Sequence, residues 1–171
     1  DADALEARLA ATTRSWSDDL AQALLDHCGE ARGTRLHHRY GEAFSAAYRE
    51  DTGARTAAQD IERLETLSDN EGLVISLYRP LEAPASVLRL KLYQAGEPIS
   101  LSDVLPVLEH MGVRVIDERP YGIRPLQTER CWIHDFGLSH DPGLELDTGM
   151  LRDAFQSGFA AIWRHQADDD G

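Results

Sequence analysis

The first third of the chain repeats its apolar residues at helical intervals. Leu5, Leu9, Trp16, Leu20 and Leu24 predict one helix, and Leu36, Tyr40, Phe44 and Tyr48, spaced four apart, predict one stripe of a second. Gly29 and Gly33 read as the break between them. After Gly53, Ile61, Leu64 and Leu67 mark a third run among Asp60, Glu62, Arg63 and Glu65, closed by "SDNEG" at 68–72. From Leu73 the period falls to two. "LVISLY" (73–78) and "VLRLKLY" (87–93) predict strands joined through "RPLEAPAS", with Leu88, Leu90 and Leu92 on one face and Arg89 and Lys91 on the other, as in a sheet with one covered face.

A helix follows with Leu101, Val104, Leu105, Leu108 and Met111 as its apolar positions. Ser100 or Ser102 can cap it, and Ser102 is the expected choice because it leaves Pro106 close to the first turn; Gly112 ends it. Strands at 113–119 and 131–138 and a last helix striped by Leu151, Phe155, Phe159 and Ile162 complete the order strand, strand, helix, strand, strand, helix. With both helices on one sheet, 87–93 and 131–138 are expected at the centre, parallel to each other, with 73–78 and 113–119 as edges. The fold class is α+β, a permuted ferredoxin-like sandwich over 71–167, preceded by a helical segment over 1–70.

Charge narrows the partners. Seventeen basic residues face 30 acidic ones for a net charge of −13, which opposes nucleic acid and anionic membranes. No stretch has the length of a membrane span and none resembles a signal peptide. Cys28 and Cys131 match no metal spacing and read as buried or half-buried thiols of a reducing compartment, so cytoplasm is expected. The chain opens on Asp1 and stops on "DDDG", as a piece of something larger would.

Candidate chemistry is thin. His37 and His38 point about 100° apart on a helix and read as a solvated face. His134 and Asp135 fall on opposite faces of a strand, so His134 reads as structural beside Trp132 and Phe136. Asp168, Asp169 and Asp170 read as solvated charge, and the pairs Asp18 with Asp19 and Glu62 with Glu65 as water-facing carboxylates. None of the motifs GxSxG, HExxH, GxGxxG or the phosphate-binding loop occurs. What remains is the loop "QAGEPIS" before a helix start, where free N–H groups favour a carboxylate. Gly96, Glu97, Ser100, Ser102 and Asp103 form this candidate ligand or interface loop; Gly96 permits the turn, Pro98 stiffens it, and Asp103 can serve as a capping residue.

"LYRPLEAP", "LRLKLYQAGEPISLSDVLPVLEHMGVRVIDERPY" and "WIHDFGL" closely resemble the non-catalytic N-terminal portion of the large bacterial NAD-specific glutamate dehydrogenases. "YGEAFSAAYRED", "TAAQDIERLETL" and "LRDAFQSGFAAIWR" extend the resemblance to about Leu36–Arg164. It implies an ACT-like domain in a parent enzyme that converts glutamate, NAD and water to 2-oxoglutarate, ammonia and NADH further along its chain. It implies a homo-oligomer, contacts with the rest of that chain and a small amino-acid effector. The segment itself offers one lysine, Lys91, and no cofactor loop, so no catalytic residue, metal or NAD site is expected within it. The resemblance loosens at 121–131, which receives no role. Three readings follow: a regulatory or oligomerisation segment, a purely architectural domain without a ligand, or a stand-alone amino-acid-binding module. An independent enzyme on this fold would need a polar cluster that the sequence does not display.

Overall fold

The computed structural model describes residues 2–141 and 148–170, with side chains described outside 9–14, 148, 151 and 166–170. Leu9, Leu151 and Asp168–Asp170 therefore lie outside the described side chains. The chain forms two compact units, one of 1–65 with 121–130, the other of 66–120 with 131–171.

The first unit holds α1 (Ala2–Cys28), α2 (Glu30–Tyr40), α3 (Ala46–Asp51) and α4 (Ala54–Glu65). Gly29, at φ 85, ends α1 and precedes α2. Gly33 is no break: it is buried within α2, where a side chain would meet the Leu24 carbonyl of α1. The predicted stripe 36-40-44-48 is divided between two helices. α2 stops at Tyr40, Phe44 forms a bridge to Ile123, and Tyr48 begins anew in α3, whose N-cap Ser45 accepts from Tyr48 N–H at 3.2 Å. The spacing survived because the rings meet in one cluster: Phe44 stacks on Tyr48 at 4.4 Å, with Trp16 and Tyr121 edge-on. Tyr48 donates to buried Asp60 at 2.6 Å. Leu5 is exposed, so the apolar face of α1 starts later than expected.

Of the carboxylates read as water-facing, Asp18 and Asp19 are exposed, whereas Glu62 and Glu65 hold these helices. Glu62 accepts from Arg32 and from the Cys28 thiol, and Glu65 accepts from Arg39 at 2.6 Å and Tyr40 at 2.7 Å. His37 is half-buried, its Nε2 3.1 Å from both oxygens of Ser17, whereas His38 is exposed. Residues 121–130 complete the unit: Tyr121 donates to Asp51 at 2.7 Å, and the N–H groups of Arg124 and Leu126 reach the carbonyls of Ala43 and Arg39.

The second unit contains β1 (Leu73–Tyr78), β2 (Val87–Ala95), α5 (Leu101–His110), β3 (Val113–Ile123, its last residues in the first unit), β4 (Cys131–His140) and α6 (Thr148–Asp170). A 3-10 turn at Ser68–Asn70 leads into β1. The sheet order is β1-β2-β4-β3, with β1 antiparallel to β2 and the expected strands at centre and edge. The central pair is antiparallel, not parallel: Val87 faces Ser139 and Ala95 faces Cys131. The crossover through α5 joins β2 to β3, and β4 fills the gap between them in the opposite sense. This split arrangement makes the unit an α+β ferredoxin-like sandwich.

Leu73, Ile75 and Leu77, then Leu88, Leu90 and Leu92, then Phe136 and Leu138 supply the core face; Val104 and Leu108 of α5 and Phe155 and Phe159 of α6 cover it. Leu101, 39% exposed, does not join them. On the other face Arg89 spans Asp135 at 2.7 Å and Asp117 at 3.2 Å. That face is less open than expected, because Lys91 and Tyr93 are buried too. Among the described residues no helix is long and apolar enough to cross a membrane.

Candidate functional site

Strand β2 carries its alternation one step past the leucines, so Gln94 takes a core-face position after Leu88, Leu90 and Leu92. It is fully buried. Its Oε1 accepts the Ile99 N–H at 2.6 Å, which ties the loop after β2 to the strand. Gly96, at φ 76, turns the chain in a conformation that a side chain would strain. Ile99 plugs into the core and Ser100 begins α5.

Ser100, not Ser102, is the N-cap, so Pro106 lies inside the helix, two residues deeper than expected. Proline tolerates this place because the residue it would bond four positions back, Ser102, belongs to the first turn, where distortion is cheapest. Neither serine caps a backbone donor; the two hydroxyls bond each other at 2.8 Å. Of the candidate loop residues, the fold thus joins Ser100 to Ser102. Asp103 lies in the first turn of α5, and Glu97, Ser100, Ser102 and Asp103 are exposed.

His134 lies on the same face as Gln94, one diagonal step away, since Leu92 pairs with His134 and Gln94 with Trp132. It is 7% exposed, stacked on Phe136 and tilted against Trp132. Its Nδ1 meets Glu118 Oε1 at 3.2 Å. A carboxylate only accepts, so Nδ1 carries the proton and Nε2 of the neutral ring is an acceptor. Burial pushes this imidazole below its ordinary pKa, and the Glu118 carboxylate works the other way. Among the described residues Gln94 Nε2, a donor, and His134 Nε2, an acceptor, are both enclosed without a hydrogen-bond partner. The nitrogen that a general base would use is therefore shut inside the core. The structural reading of His134 agrees with this geometry.

Gln94 and Glu118 escaped the sequence reading. The parity of Gln94 with the leucines was the available signal. Among the described residues no group of three or more His, Cys, Asp or Glu is placed to hold a metal. Among the described residues neither Cys28 nor Cys131 forms a disulfide, and burial, with Glu62 adding to it, raises the Cys28 pKa.

The model of the glutamate dehydrogenase ACT3 domain matches residues 72–151, and that of glutamate dehydrogenase helical motif 2 matches 23–67. Together they take in most of the chain. It belongs to the glutamate dehydrogenase family. The NAD-specific glutamate dehydrogenase of Halomonas elongata is 42% identical over 166 residues, that of Pseudomonas aeruginosa 38% over 166 and that of Mycobacterium tuberculosis 28% over 171. Each alignment covers 97% of this chain and 10% of the relative. The chain thus spans about a tenth of the length of those enzymes. Its ACT3 match includes 121–130, which the structure groups with the helices of motif 2.

Proposed function

We propose that this chain is the regulatory or oligomerisation segment of a large NAD-specific glutamate dehydrogenase whose chemistry takes place elsewhere in that enzyme. In this reading the parent oxidises L-glutamate with NAD and water to 2-oxoglutarate, ammonia and NADH. The segment contributes a surface for like subunits, for the rest of the chain or for a small amino-acid effector. One observation carries the proposal: 97% of the chain aligns with a tenth of the dehydrogenase of Halomonas elongata, while the histidine of its best polar cluster is sealed in the core. A site built for binding rather than bond-making fits the loop from Gly96 to Asp103. Its backbone is pinned by Gln94, and its polar side chains stay exposed.

The test uses the full-length enzyme. Gly96→Val should alter effector response or subunit assembly and leave the basal rate of NAD reduction intact. Unchanged assembly and effector response, with only a loss of stability, would reduce the loop to architecture. The 171-residue chain alone should show no glutamate-dependent NAD reduction; turnover abolished by Lys91→Ala would overturn the reading.

A further inference from the structure

A second concave surface lies within the sandwich unit beside the end of β2, where the Gly72 carbonyl accepts from the Ala95 N–H at 3.0 Å and Leu73 pairs with Gln94. The turn before β1 forms one wall and the stretch of α6 from Gln156 to Arg164 the other, around a cleft of about 420 Å3. Leu73, Ala160 and Trp163 supply its apolar lining; Asp69, Asn70, Gln156 and Ser157 supply polar groups. The turn is fixed. Glu71 sits in the left-handed region at φ 59, and its carbonyl accepts from the Trp163 indole N–H at 2.8 Å. Next to it Gly72, at φ 86, lies against the same indole.

The lining favours one sign of charge. Asn70 donates one of its two amide N–H groups to the Thr66 carbonyl at 2.8 Å, and its oxygen adds an acceptor to the rim. Among the described residues the Asp69 carboxylate forms no ion pair, and the cation of the cleft, Arg164, is engaged by Glu71 at 3.3 Å. An acceptor-rich rim over an indole and aliphatic floor suits an ammonium group with a short hydrocarbon tail: the N–H donors meet oxygens, the charge is attracted by the indole ring, and the tail covers Leu73 and Ala160. We propose that this cleft binds a small organic cation of the primary alkylammonium class. The proposal does not rest on the regulatory reading, since binding can be measured on this chain alone.

The experiment is a titration of the 15N-labelled chain with n-butylammonium chloride, with 1-pentanol and butanoate as neutral and anionic counterparts. Saturable shifts of the Trp163 indole N–H and of 69–73 and 156–164 are expected. Both counterparts should bind at least about tenfold more weakly, the size of one lost charge-assisted hydrogen bond. Asp69→Asn should weaken binding by a similar factor, and Arg164→Gln should tighten it by removing a competing cation. Glu82→Gln, the same charge change on the exposed loop between β1 and β2, should leave it alone. Equal weakening by Glu82→Gln, shifts scattered over the surface, or an equal response to butanoate would mean mere attraction to an acidic protein and overturn the proposal.

Discussion

A methyl group at position 33 would stand 2.8 Å from the Leu24 carbonyl oxygen, and 3.0 Å from the neighbouring backbone atoms. Those atoms belong to the backbone of α1 and cannot step aside as a flexible side chain would. Gly33→Ala should therefore cost about 1–3 kcal/mol in urea denaturation, although alanine is the better helix former. In sequence this glycine is indistinguishable from Gly29, because composition records that a side chain is missing but not whether φ or close approach demands it. His134 makes the opposite point, since its strand parity and aromatic neighbours revealed its role. Its neutral form is favoured in the folded state, so the unfolded chain binds more protons below about pH 6.5 and stability must fall as the solution is acidified through that range. His134→Phe should flatten this part of the profile between pH 7.5 and 5.5. An unchanged profile would place the acid sensitivity in other groups.

At the level of elements, the start of α5 is held by a strand residue rather than by its own serines. Ser102→Ala loses only the bond to the Ser100 hydroxyl and should cost less than about 0.5 kcal/mol, below the ~1 kcal/mol of a true cap. Gln94→Leu leaves the buried Ile99 N–H without its acceptor and should cost about 1–3 kcal/mol, with faster hydrogen exchange at Ile99. A larger effect from Ser102 than from Gln94 would contradict the geometry. Most strand positions were legible because a period of two survives in a half-covered sheet. Strand direction was not: alternation says which face a residue takes but not which way its neighbour runs, so the antiparallel centre stayed hidden. β3 was also read too short. Its burial alternation slips between Val115 and Glu118, which blurs the pattern from which its length would be judged.

For the molecule as a whole, the helical unit is discontinuous in sequence. Residues 121–130 supply the Tyr121 hydroxyl to Asp51, Ile123 to Phe44, and two backbone donors to Arg39 and Ala43. A chain ending at residue 70 keeps every helix of this unit but loses those partners. It should show a weak near-ultraviolet signal and a shallow thermal transition, where the 171-residue chain unfolds cooperatively. A sharp transition in the shorter chain would show 121–130 to be dispensable. The resemblance that identified the family faded at 121–131, so the strongest cue in the sequence was weakest at the stretch that completes the helices.

That interleaving restricts how such a segment can be inherited. A crossover near residue 70 would join one parent's helices to a stretch shaped against the other's, so Asp51 and Phe44 would meet unfamiliar counterparts at 121 and 123. Hybrids that exchange the segment entire escape this mismatch. Among relatives, substitutions at 39–51 should thus be matched by substitutions at 121–126, across a gap in sequence that contains most of a different unit.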